Sequence, residues 1–324
     1  MRTIQELKNF YDTVLISDIT ALEGERKKVA RKVIISWSVL AALVIVVVGI
    51  VLSSGTANDP GIILVPVVIA VVIGAGLHWL FTRDYTSEFK FLIIQKIVNF
   101  LDEGLNYSAT ECIQEGLYML SQLFPHRVDR YRGDDLVVGK LGATEMKFSE
   151  LHSEYKTTTT DSKGHTRTHW HTIFKGLFFV GDFNKDFKGR TLVLPDTAEK
   201  LFGNLGSLFQ SWNKTRGELI KLEDPEFEKM FAVYGNDQIE ARYILSTSLM
   251  KRIVDFKKKS RRNIYLSFIA SKVFVAVSYH KNLFEPKIFT TLLDFKPIQE
   301  YFEDLQLAIG IVEDLNLNTR IWTK

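Results

Sequence analysis

Two uncharged apolar runs, residues 33–52 and 61–81, dominate the pattern of hydrophobic and polar positions in this chain. Each is about 20 residues long, which is the length that a helix needs to cross the hydrocarbon core of a bilayer. In lipid every backbone polar group must be bonded within its own segment, so both runs are predicted to be helical. Because the polar link 53–60 is short, the pattern predicts a two-helix transmembrane hairpin over residues 33–81.

Basic residues flank this hairpin on one side only. Arg83 and Lys90 follow the second run, and the link between the runs contains Asp59 but no Lys or Arg. Since Lys and Arg accumulate in cytoplasmic flanks, we expect a multi-pass protein of the inner (plasma) membrane with cytoplasmic N- and C-termini. Five basic residues precede the first run, and they are named here the helix-base cluster: Arg26, Lys27, Lys28, Arg31 and Lys32.

Helical periodicity also marks the segments on either side of the hairpin. Apolar residues recur at helical spacing from residue 3 to residue 22, behind the capping-box pattern Thr3-x-x-Glu6, and Gly24 is expected to break or bend the helix. This predicts a cytoplasmic amphipathic helix and basic segment over residues 1–32. A second stripe at residues 89–101 and a further helix at 108–123 predict a helical stalk or linker over residues 82–125.

From Gly133 onward the pattern of hydrophobic and polar positions becomes typical of β-strands. The turn Asp161-Ser-Lys-Gly164 is expected to join two of them as a hairpin. Helices are expected over residues 238–258 and from Pro297 to about residue 314. Seven segments rich in β-branched and aromatic residues predict strands, at 136–140, 144–156, 166–180, 191–194, 219–222, 264–270 and 273–279.

This order of elements predicts an α+β fold. An antiparallel sheet with packing helices would form a cytoplasmic domain over residues 126–324. A pleckstrin-homology-like domain, which is a bent sheet closed by a C-terminal helix, fits the order of the elements. That likeness concerns the fold alone and implies no ligand.

Composition adds two constraints. With 41 Lys and Arg against 38 Asp and Glu the net charge is only +3, so binding to an anionic partner must come from a local patch. The single cysteine, Cys112, excludes an intramolecular disulfide framework and suits a reducing compartment.

Four motifs in the C-terminal half resemble one known family. They are Asp182-Phe-Asn-Lys-Asp-Phe-Lys-Gly-Arg-Thr191, Leu222-Glu-Asp-Pro-Glu-Phe-Glu-Lys229, Val233-Tyr-Gly-Asn-Asp-Gln-Ile-Glu-Ala-Arg-Tyr-Ile-Leu-Ser246 and Ile311-Val-Glu-Asp-Leu-Asn-Leu-Asn-Thr-Arg-Ile-Trp322. Together they resemble the bacterial membrane-protein family catalogued as domain of unknown function 3137, from Val128 to the C-terminus. The resemblance implies a folded cytoplasmic domain behind a pair of membrane spans, and it brings no activity, cofactor or catalytic residue.

Three histidines are the candidate metal ligands. His165, His169 and His171 occupy positions of equal parity, so their side chains and that of Arg167 are expected on one face of a strand. Neighbouring imidazoles can bind a divalent metal, which suggests a membrane-tethered, metal-dependent enzyme as the alternative function. Arg167 would repel a cation, so a solvated projecting ribbon and a pH-responsive patch are the competing interpretations.

The densest run of charge is named here the Lys257 cluster: Lys257, Lys258, Lys259, Arg261 and Arg262. At the C-terminus of a predicted helix these cations suit the helix dipole. Close to a bilayer they would suit anionic lipid headgroups, and both interpretations stay open at this stage. Nucleic acid is not an expected partner, because no aromatic residues alternate with the charges.

No residue is assigned a catalytic or cofactor-binding role. The chain has no phosphate-binding Gly-rich loop, no Cys-x-x-Cys and no Gly-x-Ser-x-Gly motif, and no nucleophile–base pair can be placed. We therefore expect an integral inner-membrane protein without a cofactor. Its cytoplasmic domain would bind a protein partner, a second copy of the chain or anionic lipid headgroups.

Overall fold

A computed structural model describes residues 2–54, 60–183, 185–196 and 217–318. Most of the expected link 53–60 lies outside this range, as do Asn184, Arg320 and Trp322 of the family motifs. The chain divides into two compact units. The helical unit comprises residues 2–96 with 284–300, and the sheet unit comprises residues 97–283 with 301–318.

Two long helices form most of the helical unit: α1 (Ile4–Ser53) and α2 (Gly61–Leu101). The expected capping box begins α1, since the Thr3 hydroxyl accepts from the Glu6 N–H and the Glu6 carboxylate accepts from the Thr3 N–H. Of the two expected effects of Gly24, a break or a bend, the break is wrong, because α1 continues through this residue. A single glycine costs a helix interior only about 1 kcal/mol. Single π-helical turns interrupt α1 at Tyr11–Leu15 and α2 at Lys90–Ile94.

Both helices are long and apolar enough to cross a membrane. Only 6% of the most apolar 18-residue window of each helix is buried within the protein, whereas the core helix of a soluble domain would be mostly buried. The two helices pack on each other at Gly74, where a Cβ atom would lie 2.7 Å from the indole ring of Trp37. Glycine at this position lets the ring approach the α2 backbone closely.

A nine-stranded antiparallel sheet forms the frame of the sheet unit, in the order β1-β2-β3-β4-β9-β8-β5-β7-β6. Every neighbouring pair is antiparallel, and the unit therefore has the predicted α+β fold. The strands are β1 (Leu105–Ser108), β2 (Arg130–Leu141), β3 (Thr144–Thr160), β4 (Thr166–Asp182), β5 (Arg190–Pro195), β6 (Glu218–Ile220), β7 (Phe231–Gly235), β8 (Ile264–Ile269) and β9 (Lys272–Ser278).

The central strands are buried on both faces. On β4, Phe178 belongs to a hydrophobic cluster with Tyr118 and Phe274, while its neighbour Phe179, on the opposite face, is also fully buried. This explains why residues 173–180 read as a nearly continuous apolar run. The remaining helices are α3 (Glu115–Leu120), α4 (Pro225–Glu228), α5 (Gln238–Ile244), α6 (Thr247–Ser260) and α7 (Phe295–Asp314).

Several elements differ from those predicted, because helix capping and strand pairing set their boundaries. The expected helix 238–258 is two helices, because the backbone leaves the helical region at Leu245 and the Ser246 hydroxyl caps α6. The expected helix 108–123 is confined to α3. The strands β1 and β7 were not expected, since each is at most five residues long and acquires its structure by pairing with a longer neighbour.

Candidate functional site

A two-stranded ribbon extends beyond the rest of the sheet. Strands β3 and β4 pair with each other as far as Thr160 and Thr166, but β2 pairs with β3 only up to Glu154, and β9 pairs with β4 only from Gly176. We name residues 155–171 the arm. Every residue from 158 to 171 is exposed, and the structure describes no third strand against either edge of the arm.

The register of the arm fixes which side chains share a face. His169 lies opposite Thr157, and Arg167 lies opposite Thr159. Because side chains alternate along a strand, His169, His171 and Arg167 share one face, as the spacing predicted. His165 differs, since it belongs to the turn, where its Nδ1 atom lies 3.1 Å from the Asp161 carboxylate.

Stacked rings mark the base of this face. The Tyr155 ring stacks against the imidazoles of His126, at 4.1 Å between centroids, and of His171, at 4.9 Å. His171 Nε2 also lies 2.8 Å from the Thr157 hydroxyl. Burial, with a further effect from His171, lowers the pKa of His126. Desolvation at this buried position therefore favours the neutral imidazole.

Charged groups surround Glu154 at the other face of the base. The Arg132 guanidinium donates to the Glu154 carboxylate at 2.8 Å, and Arg130 donates to it at 3.3 Å. The same Arg130 guanidinium lies 3.7 Å from the centroid of the Trp170 ring, which is 39% exposed. This pair and the stacked rings hold the arm at its base, and among the described residues the outer part of the arm pairs only through the β3–β4 ladder.

The arrangement of the three histidines bears on metal binding. His165 lies at the turn, four residues from His169 along an extended strand, so at a rise of about 3.3 Å per residue it is the most distant of the three candidate ligands. Metal binding by His169 and His171 stays a prediction. Stoichiometric zinc in the purified full-length protein, lost in the His169→Ala/His171→Ala variant, would support it.

A different set of possible metal ligands lies at a bulge in β2. Ligand oxygens of Asp134, Asp135 and Glu150 lie within 4.8 Å of one another, and Asp135 and Glu150 are buried. Tyr107 donates a hydrogen bond to Asp135, and the Leu283 N–H donates to Glu150 at 2.8 Å. These bonds give the carboxylates a structural role. Sequence reasoning missed this cluster because the bulge in β2 and the pairing of β2 with β3 bring the three carboxylates together. The adjacent residues Asp134 and Asp135 were the only part of the cluster visible in the local sequence.

The Lys257 cluster lies at the end of α6, and its members contact other parts of the sheet unit. Lys257 Nζ donates to the Arg262 carbonyl at 2.6 Å, Lys258 pairs with Glu226 at 2.7 Å, and Lys259 pairs with Asp314 at 2.6 Å. Arg262 stacks 3.7 Å from the Tyr279 ring centroid, and Arg261 adopts the left-handed conformation (φ 52°) that ends α6. The lipid-patch hypothesis for this cluster remains a prediction.

The helix-base cluster is arranged differently. Arg26 is buried and donates to both carboxylate oxygens of Glu23, at 2.8 and 2.7 Å, and to the Ile288 carbonyl at 2.6 Å. The Leu292 N–H donates to the same carboxylate at 3.1 Å. Its hydrogen bonds from Arg26 hold the pKa of Glu23 down at about 2. This buried pair therefore attaches the segment 284–300 to α1 within the helical unit.

The other members of that cluster are exposed. Lys27 lies 3.7 Å from Glu23, and Lys28 pairs with Glu25 at 2.7 Å. Among the described residues, Arg31 and Lys32 have no ion-pair or hydrogen-bond partner for their side chains. Lys27 and Arg31 line a groove of about 360 Å³ together with Arg26, Ala30, Ile34 and Ile35.

Comparisons with known proteins give one family match. Residues 172–317 match the family described as "Protein of unknown function (DUF3137)", which confirms the resemblance over a shorter range than the motifs predicted. No curated protein and no solved structure matches the chain. The match begins directly after the arm and ends three residues beyond α7, so the arm and both long helices lie outside it.

Proposed function

We propose that this chain, whose residues 172–317 match a family of unknown function, is a membrane-anchored binding protein. In this proposal α1 and α2 cross the inner (plasma) membrane as a hairpin, and the sheet unit is a cytoplasmic domain that binds an acidic protein partner. The observation that supports it is the exposure of two uncharged apolar windows, each only 6% buried within the protein. Without lipid around them, these windows would place a large apolar surface in water.

The flanking residues support the same arrangement. Exposed aromatic residues lie near the end of each apolar window that is next to the charged flanks. Trp79 is 62% exposed, and the Arg83 guanidinium lies 5.5 Å from the centroid of its ring. Trp at this position is typical of the boundary between hydrocarbon and headgroups. The helix-base cluster lies at the corresponding level of α1, and cationic flanks favour the cytoplasmic side.

Extraction and labelling test the anchoring and its orientation. We expect the full-length protein to stay in the membrane pellet after washing at alkaline pH. In a Cys112→Ser background, a Thr159→Cys variant should react with a membrane-impermeant maleimide only after the cells are permeabilised. Release into the alkaline wash would contradict the anchor, and labelling of intact cells would contradict the cytoplasmic orientation.

The arm is the element that we assign to partner binding. Residues 155–171 contain Lys156, Lys163 and Arg167 against one carboxylate, Asp161. An isolated two-stranded ribbon is marginally stable in water, and its open edges can pair with an extended segment of another chain. Acidic side chains on that segment would complement the cations, and Trp170 offers the kind of aromatic anchor that contributes most to binding at interfaces.

Site-specific photo-crosslinking in membranes tests this assignment. With a photoreactive phenylalanine analogue in place of Thr168, we expect a discrete crosslinked product whose yield falls when polyglutamate or high salt is added. The matched control carries the analogue in place of Ile239, which is 81% exposed on α5 and lies away from the arm in sequence. Equal products from both positions, or none at Thr168, would contradict a binding role for the arm.

A shortened arm separates binding from folding. Replacing residues 158–168 with Asn-Gly would close the hairpin after the Thr157–His169 pair by a two-residue turn. Because all the removed residues are exposed, we expect an unchanged melting temperature together with loss of partner binding. A fall in melting temperature would show that the arm has a structural role instead.

A further inference from the structure

We propose that the groove lined by Lys27, Arg31, Ile34 and Ile35 binds the phosphate of an anionic phospholipid, with its acyl chains against the apolar face of α1. The proposal rests on the proposed membrane insertion of α1 and α2, and it adds a specific lipid site to that function. The residues come from one continuous helix, so the site needs no contact between the two units.

The spacing of these residues places charge and apolar surface on one stripe of α1. Lys27 and Arg31 are four residues apart, and Ile34 and Ile35 follow three and four residues after Arg31. Residues with this spacing lie on the same side of a helix, one turn above another. The stripe therefore changes from cationic to apolar within about two turns, as the headgroup region of a bilayer gives way to hydrocarbon.

The availability of the two cations supports binding of an external anion. The side chain of Lys27 is 67% exposed and its nearest carboxylate, that of Glu23, is 3.7 Å away and already accepts two hydrogen bonds from Arg26. Arg31 is exposed and has no side-chain partner among the described residues. A guanidinium can donate two parallel hydrogen bonds to one phosphate, and a nearby ammonium adds a second charge.

The surroundings of the groove favour a lipid over a free anion. Ile34 and Ile35 are 55% and 54% exposed, and they border the uncharged run that begins at Val33. A free phosphate would gain nothing from these side chains, whereas the glycerol backbone and acyl chains of a lipid would cover them. Basic residues immediately next to a membrane helix are typical of recognition of anionic lipids.

Native mass spectrometry of the full-length protein in a neutral detergent tests the site. The probes are phosphatidylglycerol and phosphatidylcholine of identical acyl chains, with inorganic phosphate as a third arm. We expect the protein to retain phosphatidylglycerol in preference to phosphatidylcholine. The Lys27→Gln/Arg31→Gln variant should lose that preference by roughly 5- to 25-fold, because each cation near an anionic surface contributes about fivefold.

A variant of equal charge change is the matched control. Lys229→Gln/Lys251→Gln also removes two cations from exposed side chains, outside both basic clusters, and we expect it to retain phosphatidylglycerol as the parent protein does. A preference that survives in Lys27→Gln/Arg31→Gln, or that is lost only in the control variant, would overturn the assignment. Displacement of the lipid by millimolar inorganic phosphate would show a site for free anions and would also overturn it.

The alkaline wash separates failure of this inference from failure of the proposed function. If the protein resists the wash but shows no preference for phosphatidylglycerol, the lipid site is wrong and the membrane anchor stands. If the wash releases the protein, the anchor itself is wrong and the lipid site is overturned with it. Resistance to the wash together with a preference lost in Lys27→Gln/Arg31→Gln supports both.

Discussion

The helix-base cluster and the Lys257 cluster each contain five basic residues, within seven and six positions of the sequence respectively. In the Lys257 cluster, two lysines pair with carboxylates from distant parts of the chain, Glu226 and Asp314. In the helix-base cluster, one arginine is buried against Glu23, whereas Arg31 and Lys32 have no side-chain partner among the described residues.

The difference shows that charge density in a sequence does not measure the charge available for binding. Near the end of α6, Glu226 of α4 and Asp314 of α7 pair with Lys258 and Lys259 within the sheet unit, whereas Arg261 is exposed. The nearby Glu23 and Glu25 are engaged by Arg26, Lys27 and Lys28, and no described acidic residue pairs with Arg31 or Lys32. Members of the helix-base cluster therefore differ in their roles. Arg26 is buried and stabilises the fold, whereas the exposed cations are available to bind an anion.

The largest expected effect comes from the buried pair. Glu23→Gln would leave the buried Arg26 guanidinium without its carboxylate, which typically costs about 3–5 kcal/mol. We expect a loss of this size in the free energy of unfolding of the full-length protein in detergent. Glu25→Gln is the matched control, because Glu25 forms an exposed pair with Lys28. Equal losses for the two variants would contradict a special role for the buried pair.

Acid should weaken the same pair in the parent protein. The pKa of Glu23 is lowered from 4.5 to about 2 by its hydrogen bonds from Arg26. The unfolded chain therefore binds a proton at a higher pH than the folded chain, and stability contributed by Glu23 is present above pH 4.5 and is lost as pH falls towards 2. Unfolding measured from pH 6 to pH 3 should show a steeper fall for the parent than for Glu23→Gln. Parallel curves would count against this coupling.

A smaller effect is expected within the Lys257 cluster. Lys257→Met would remove the donor to the Arg262 carbonyl and to Asn263 Oδ1 at 3.3 Å, at a cost of about 1–2 kcal/mol. Burial lowers the pKa of Lys257, which agrees with a role inside the fold. Lys251→Met is the control, since Lys251 is exposed on the same helix. If Lys257→Met were as stable as its control, a structural role for Lys257 would be contradicted.

The smallest effects should come from the exposed cations of both clusters. Lys258→Gln/Lys259→Gln removes two exposed ion pairs, and such pairs contribute little, so we expect the melting temperature to fall by about 2 °C or less. Lys27→Gln/Arg31→Gln should leave it unchanged within the same range. Differential scanning fluorimetry without added lipid would measure the melting temperatures of both variants. A clearly larger loss for Lys27→Gln/Arg31→Gln would show that these side chains stabilise the fold.

Much of the local structure followed from the sequence. Residues 33–52 and 61–81 were predicted as helices because an uncharged run of this length satisfies its backbone only as a helix in lipid, and both lie within α1 and α2. The capping box at Thr3 and Glu6 and the turn at Asp161–Gly164 also followed, since each depends on a few adjacent residues. The break at Leu245 escaped prediction because the apolar spacing is continuous across it.

The candidate sites depended more strongly on tertiary contacts. The shared face of His169 and His171 follows from strand periodicity alone, but the position of His165 in the turn depends on where the β3–β4 ladder ends. The sequence contains Glu226 and Asp314 without indicating that they lie beside Lys258 and Lys259. The bulge that brings Asp134, Asp135 and Glu150 together likewise depends on how β2 pairs with β3.

The sequence by itself determined the two long apolar helices and the α+β class, because each depends on side-chain periodicity over short distances. Only the tertiary structure decided the order of the nine strands, the projection of the arm beyond its neighbours and which basic residues pair with distant carboxylates. The physical reason is that strand pairing and ion pairing join residues far apart in the chain. The free energies of these contacts depend on distances in space, and those distances cannot be read from the residue pattern of one segment.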